Sequence, residues 1–344
     1  MKRISVGVMT NADGAHLGAY FEALLKTDEV ETVVLADPSG ATFPQAKKTL
    51  GEKLKATFQD FAALLREAKP ALVVVSLEAA LAPPAINAAL EAGCHVFAEK
   101  PACVRAEDFA QLVQKADSKH LHLMLALANR INPPVREARR LLRSGMFGKV
   151  YGIEMHIVAD QTRLKRPEYH KTWFASKARG GGGHLIWLGI HWLDLAGYMT
   201  GLTVREVTAL TAVVGGQPIN VEDSAAVVMR FDNGSLGTLT SGYYLDKGYH
   251  THIKIWCEHG WLQLPGLEDG PLEYYSTKAG KEAKIERFEP PPKAGGYTPF
   301  VRAAVRACAG LEEAPITGEE GLRVLKTIFA CYQAAETGQR QSVS

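Results

Sequence analysis

Over its first 150 residues the chain alternates short β-branched runs with stretches of helical periodicity, and this alternation constrains the fold more than any other feature. Ile4–Met9, Thr32–Ala36, Leu72–Ser76, His95–Ala98 and His122–Leu127 read as strands, with stretches such as Gly14–Lys26 and Pro84–Ala92 between them. In the first of these stretches Leu17, Tyr20, Phe21, Leu24 and Leu25 keep i, i+3, i+4, i+7, i+8 spacing, which leaves one helix face to cover a sheet. Strand–helix–strand repetition implies right-handed crossovers and a parallel sheet covered on both faces. The expected fold of this part is a doubly wound α/β domain.

After about Gly148 the pattern changes to a strand, a long loop, one helix and then consecutive strands with hairpin turns, as in an α+β domain on a mainly antiparallel sheet. Ser224–Phe231 and Ser235–Ser241 flank Asp232-Asn233-Gly234, and Asn-Gly between two such runs is a strong hairpin signal. Ile253–Trp256 and Trp261–Leu264, across Glu258-His259-Gly260, form a second expected hairpin. Helix returns at Pro299–Ala309 and Gly318–Thr337, where Leu322, Leu325, Phe329 and Tyr332 keep helical spacing. A length of 344 residues suits two domains. The boundary is placed at 128/129, with the last helices as candidates to pack back on the first domain.

Lys and Arg number 39 against 37 Asp and Glu, interleaved, so the chain lacks the electrostatic footprint of a nucleic-acid or anionic-membrane binder. Five cysteines without a C-x-x-C pair read as reduced thiols, not as a disulfide framework or a zinc site, and no metal is expected. No stretch reads as a signal-peptide core or a bilayer span, which places the protein in the cytoplasm.

The turn after the first strand reads Met9-Thr10-Asn11-Ala12-Asp13-Gly14-Ala15. In a dinucleotide-binding turn one glycine makes the bend, a second lets the backbone approach the pyrophosphate, and a third, replaceable by alanine, packs helix on strand. Thr10, Ala12 and Ala15 occupy those places. Thr10, Asn11 and Ala12 are nevertheless the expected cofactor contacts, with Ser76 and Leu77 at the end of the Leu72–Ser76 run. Asp37 closes the second strand where an acid accepts both ribose hydroxyls and repels a 2′-phosphate, favouring NAD over NADP; an ordinary Asp-Pro-Ser-Gly turn is the plainer alternative. Glu99-Lys100-Pro101 follows the strand His95–Ala98 at the carboxyl edge of the sheet, where a partly buried lysine can orient a hydroxyl or move a proton.

Gly180–Gly183 precede His184-Leu185-Ile186-Trp187-Leu188-Gly189-Ile190-His191-Trp192-Leu193-Asp194. The glycines are expected to leave amides open at a helix start. Helical spacing puts His184, Trp187, His191 and Asp194 on one stripe, beside an apolar stripe of Leu185, Leu188, Trp192, Leu195 and Met199. One stripe packs and the other can face a cavity. Two satisfied core histidines are the bland alternative, and a metal pair is disfavoured because no cysteine or carboxylate cluster accompanies them.

Here the sequence resembles the Gfo/Idh/MocA family, the glucose-fructose oxidoreductase and inositol dehydrogenase group, over nearly its whole length. The matching pieces are Ala92–Pro101 with its Glu-Lys-Pro, Asn129-Arg130-Ile131-Asn132-Pro133, Ser144–Val150, the Gly181–Asp194 block and Thr317–Gly321. The resemblance implies an N-terminal Rossmann domain and a C-terminal domain whose open sheet supports homodimers or homotetramers. It also implies NAD(P)-dependent redox chemistry on sugars, cyclitols or related polyols. Lys100 matches the lysine that contacts substrate and nicotinamide, and His191 the histidine that exchanges the hydroxyl proton. Glu99 and Asn129 join the expected cofactor contacts. The family usually carries an aspartate four residues before this histidine, where the chain has Trp187. His184, Tyr169 and His170 are the candidates to replace it, Trp187 or Trp173 could stack on a sugar ring, and Arg130 completes the expected substrate contacts.

The function these residues predict is hydride transfer between a secondary alcohol and nicotinamide, with Lys100 and His191 on the two edges of an interdomain cleft. A redox-neutral glycoside cleavage or epimerisation with NAD regenerated is a second reading. A non-catalytic NAD- or sugar-sensing protein is a third. The loop Gln161–Arg179, rich in Arg, Lys and Tyr, suits either an acidic sugar or plain solvation.

Overall fold

A computed structural model describes residues 2–266, 270–292 and 294–344. The chain divides into two compact units, the first comprising Met1–Ala128, Ala178–Gly181 and Tyr297–Arg323, the second Asn129–Lys177, Gly182–Gly296 and Val324–Ser344.

In the first unit the order is β1 (Ile4–Thr10), α1 (Leu17–Lys26), β2 (Val30–Ala36), α2 (Phe43–Leu50), β3 (Leu54–Phe58), α3 (Phe61–Ala68), β4 (Leu72–Ser76), α4 (Ala82–Glu91), β5 (His95–Ala98), α5 (Ala106–Ser118) and β6 (Leu123–Leu125). The strands form one parallel sheet in the order β3-β2-β1-β4-β5-β6, so the chain reverses its winding between β1 and β4. In such sheets the crevice outside the strand ends at that reversal is where a dinucleotide lies. Val6, Val8, Val33, Leu35, Val73 and Phe97 are buried on the sheet, and Leu17, Tyr20, Phe21 and Leu24 bring the apolar face of α1 against it. Leu25 remains 41 % exposed, against expectation. At 100° per residue it stands about 80° round the helix from Leu17, at the margin of the stripe. The edge strand β3 has no residue fully buried, and its weak alternation is why the sequence pattern did not mark it.

The second unit holds α6 (Pro133–Arg143) and β7 (Val150–Asp160); the loop after β7 runs to α7 (Lys177–Gly180), of which Ala178–Gly180 belong to the first unit, and then to a π-helical turn Leu185–Gly189 and α8 (Ile190–Thr200) of the second. Then come β8 (Val204–Ala212), β9 (Ser224–Phe231), β10 (Leu236–Leu245), β11 (Tyr249–Cys257), β12 (Gly260–Leu264), β13 (Leu272–Ser276) and β14 (Glu286–Phe288). Helices α9 (Tyr297–Cys308) and α10 (Gly318–Thr337) and the short β15 (Gln341–Ser342) complete the chain.

The second sheet has nine strands in the order β14-β13-β12-β11-β7-β10-β9-β8-β15, antiparallel except for β7 beside β10. Both expected hairpins form, Leu236 pairing with Arg230 and Gly260 with Cys257. Alternate residues of β7, Ile153, Met155 and Ile157, are buried on the side where α8 packs. Outward-facing residues of the sheet include Leu210, Val228, Leu236 and Trp256, each at least 42 % exposed in the single chain.

Candidate active site

The β1–α1 turn is tied to β4 at the winding reversal. Thr10 donates through Oγ1 to the carbonyl of Ser76 at 2.8 Å, and Ser76 donates through Oγ to the carbonyl of Ala15 at 2.7 Å. A Cβ on Gly14 would lie 2.1 Å from Thr10 Oγ1 and 2.8 Å from the Ser76 carbonyl, so only glycine fits. The close-packing glycine of this turn is therefore Gly14, one place before the Ala15 that motif counting selects. The amide of Asp13 donates to Asn11 Oδ1 and that of Gly14 to the Asn11 carbonyl, which leaves Ala12 and Asp13 exposed at the tip. Leu77 is buried beside Ser76.

Asp37 is buried, and its carboxylate accepts four hydrogen bonds at 2.7–2.9 Å, from the amides and hydroxyls of Ser39 and Thr42. Burial pushes its pKa up, but the four donors outweigh that and hold it below the usual carboxylate value. The acid shapes its own turn, as the plainer reading of Asp-Pro-Ser-Gly has it, while its negative charge stays at the end of β2.

At the end of β5 Glu99 and Lys100 are each 1 % exposed. Glu99 Oε2 accepts from the Tyr20 hydroxyl and lies 3.0 Å from His16 Nδ1; its Oε1 lies 3.9 Å from Lys100 Nζ. Burial opposes ionisation of Glu99, yet His16, Lys100 and the Tyr20 hydroxyl together hold its pKa below the ordinary value. His16 enters α1 in the left-handed conformation, φ 57°, which costs a non-glycine residue about 1–2 kcal/mol and persists only where surroundings enforce it. Glu99 on one side and the Tyr297 ring, 4.9 Å away, on the other supply that enforcement.

In the second unit the glycine run is a packing device. A Cβ on Gly183 would stand 2.0 Å from the Glu222 carbonyl, and one on Gly182 would stand 2.1 Å from the Tyr332 hydroxyl. The buried Glu222 carboxylate accepts from the amides of Gly183 (2.8 Å) and Leu185 (2.9 Å) and from the Tyr332 hydroxyl (2.8 Å). The Ile186 amide donates to the same hydroxyl at 3.1 Å. This corrects the expectation of open amides: those at the helix start are consumed internally. Burial raises the pKa of Glu222 despite its donors.

The polar stripe also divides. A π turn holds more residues than an α turn, so 3.6-residue counting fails across Leu185–Gly189. His184 is fully buried, with Nδ1 2.6 Å from Ser241 Oγ and its ring edge-on to Tyr243. Burial, reinforced by the Arg163 charge, pushes its pKa down to about 3, so it is a neutral imidazole across the physiological range. That suits a positioning residue better than the acid/base role expected of it. Trp187 is half-buried against Phe174, and Trp173 is buried with its ring 5.2 Å from Trp187, so Trp187 is the better placed of the two for a sugar face. Asp194 takes both Nε and an Nη of Arg130 at 2.6–3.0 Å, in a pair buried under the Tyr198 ring. Arg130 is thereby engaged in an ion pair within its own unit, beside Asn129 in the same short helical turn. His191 lies in the first turn of α8, 8 % exposed.

On the loop after β7, Tyr169 packs on Ala159, Leu164 and Tyr243, and burial raises its pKa. His170 Nε2 lies 2.5 Å from the Leu164 carbonyl, which clasps the loop on itself. Among the described residues, no group of three or more His, Cys, Asp or Glu is placed to hold a metal ion. Sequence reading missed His16, Tyr20, Arg179, Glu222, Ser241 and Tyr332. Tyr20 and Tyr332 carried only the signal of helical spacing and Arg179 only that of a basic loop, while His16, Glu222 and Ser241 carried none locally.

Residues 6–127 match the model of an oxidoreductase family with an NAD-binding Rossmann fold, and residues 135–263 match the C-terminal domain model of the same GFO/IDH/MocA group. The chain is 20 % identical over 318 residues to myo-inositol 2-dehydrogenase of Thermotoga maritima, covering 92 % of each. It is 25 % identical to D-glucoside 3-dehydrogenase of Escherichia coli, covering 97 % of this chain and 95 % of that one. A levoglucosan dehydrogenase solved with NADH and L-sorbose shares the fold with a TM-score of 0.86 at 18 % identity, over 100 % of both chains.

Proposed function

The chain belongs to the Gfo/Idh/MocA family of NAD-binding oxidoreductases, and from that premise we propose that it transfers a hydride between a secondary hydroxyl of a sugar, cyclitol or related polyol and nicotinamide. The observation that carries this reading is Lys100, a lysine only 1 % exposed at the carboxyl end of β5 with a carboxylate 3.9 Å from its ammonium. A buried cation at that edge of a doubly wound sheet costs desolvation, which fits a group retained for chemistry. The residues around the β1–β4 reversal suit NAD: a glycine packed tight in the turn, and an ionised acid at the end of β2 that disfavours a 2′-phosphate.

When bound, nicotinamide supplies the hydride acceptor or donor. Lys100 holds the reacting oxygen and stabilises the negative charge that grows on it, while His191 exchanges its proton. Glu99, fixed by His16 and Tyr20, orients Lys100. Half-buried Trp187 offers a sugar face an aromatic wall where the family usually has an acid. Names of relatives that act on inositol and on glucosides support a cyclic polyol as substrate. The outward apolar residues of the second sheet, Leu210, Val228, Leu236 and Trp256, support a homodimer through that face. The cysteines, free and mostly buried, suit the reducing cytoplasm.

The test is NAD reduction by a panel of inositols, glucosides and free pyranoses. Lys100→Ala and His191→Ala are each expected to lower kcat on the best substrate by roughly 10²–10⁴-fold. Wild-type turnover in both variants would overturn the assignment.

A further inference from the structure

We infer that Arg179 is a pyrophosphate-binding residue, supplied from outside the Rossmann segment to a turn that carries no cation of its own. The inference rests on NAD binding by the first unit and adds a residue to it. Between Thr10 and His16 the turn contains no lysine or arginine, and its exposed tip holds Asp13, a like charge to a phosphate. Arg179 lies far on in sequence, but the segment Ala178–Gly181 belongs to the first unit, where the Arg179 carbonyl accepts from the Ala80 amide at 3.0 Å. Its Nε donates to Glu78 Oε2 at 2.7 Å, and one of its Nη atoms pairs with the same oxygen and lies 3.5 Å from Asp13 Oδ2.

Glu78 follows β4 and Asp13 follows β1, so this one guanidinium bridges the two strand ends that flank the winding reversal. That is where a doubly wound sheet receives the pyrophosphate. The two contacts are unequal. The Glu78 pair is short and uses two nitrogens against a side chain only 9 % exposed, whereas the Asp13 contact is long and solvent-accessible. Glu78 is the anchor. The Asp13 contact is the one an incoming pyrophosphate replaces, since a guanidinium pairs with phosphate oxygens through the same N–H fork. Arg179 thereby offsets the charge of Asp13 at the tip of the turn.

The test is direct binding to the full chain: NADH by fluorescence titration, ADP-ribose and adenosine by calorimetry, with melting curves recorded alongside. Arg179→Ala is expected to weaken NADH and ADP-ribose at least fivefold with adenosine changed less than twofold, and to reduce the salt dependence of NADH binding. Asp13→Asn is expected to tighten NADH binding, and Arg179→Lys to fall between wild type and Arg179→Ala. The inference is overturned if Arg179→Ala weakens NADH less than fivefold, or weakens adenosine as much as ADP-ribose, which would mark a structural tie only. Should Arg179→Ala fail to fold, Arg179→Lys and Asp13→Asn decide: unchanged NADH affinity in both overturns the assignment. Loss of NADH binding by the wild-type chain would instead strike at the cofactor reading itself.

Discussion

Tyr20 donates its hydroxyl proton to Glu99, joining the middle of α1 to the end of β5 with both side chains buried. The bond reaches across 79 residues and ends on the carboxylate next to Lys100. Tyr20→Phe removes a donor from a buried, ionised acceptor, a loss worth about 1–3 kcal/mol. Urea unfolding is expected to show it. The pKa of Glu99 is depressed in the fold, so the stability it confers is complete above its unfolded value, about 4.3, and is lost as pH falls through the lower folded value. A Glu99→Gln protein should therefore show a flatter acid limb in stability against pH, together with reduced kcat from a misplaced Lys100.

His184 offers a sharper use of pH. Its folded pKa, about 3, lies below the unfolded value of about 6.5, so the unfolded chain binds the extra proton and stability drains away as pH falls from about 6.5 toward 3. Each pH unit in that window costs about 1.4 kcal/mol at most. His184→Gln is expected to be less stable at pH 8 yet to lose less on acidification to pH 4. It should leave the pH profile of kcat between pH 6 and 9 in place, whereas His191→Gln should lower kcat itself. A shifted kcat profile in His184→Gln would show that this imidazole exchanges protons after all.

Gly183→Ala is expected to be among the most damaging small substitutions in the second unit. Its methyl would meet backbone, the Glu222 carbonyl, whereas in Gly182→Ala it would meet the far end of the Tyr332 side chain. Thermal melts and limited proteolysis should rank Gly183→Ala well below Gly182→Ala, with a loss of more than about 3 kcal/mol in line with severe overpacking. Equal stability of the two proteins would contradict the rigid seat described for Glu222.

Breaking the Arg130–Asp194 pair from one side leaves a buried charge uncompensated, and Asp194→Ala is expected to cost about 3–5 kcal/mol in chemical denaturation. The double variant Arg130→Met/Asp194→Leu should recover most of that loss. If it regains stability but not substrate affinity, Arg130 has a binding role beyond the pair.

Much of the framework was legible in the residues themselves. Leu72–Ser76, His95–Ala98, Ser224–Phe231 and Gly318–Thr337 carry the periods of a buried parallel strand, an alternating hairpin strand and an amphipathic helix, and the structure has those elements at those bounds. Period and turn chemistry are local properties, so they survive without knowledge of the chain path. The Glu-Lys-Pro and glycine-run blocks were likewise visible as sites because unusual residues cluster in sequence there.

What those clusters do was decided by partners far away in the chain. The Gly183 amide belongs to Glu222, 39 residues on, and the Ile186 amide to Tyr332, 146 residues on. A glycine run announces that something must come close to the backbone but not what comes close, and here it is a carboxylate and a phenol instead of solvent or substrate. Asp37 kept its place at a strand end, yet its oxygens are taken by its own turn. A π turn of five residues moved His184 and Asp194 to different partners although helical counting placed them together. The sequence by itself determined the two folds, through hydrophobic period and turn chemistry. Only the tertiary structure decided which polar groups are already satisfied inside the protein, because a buried donor or acceptor must find its partner wherever the folded chain brings one within reach.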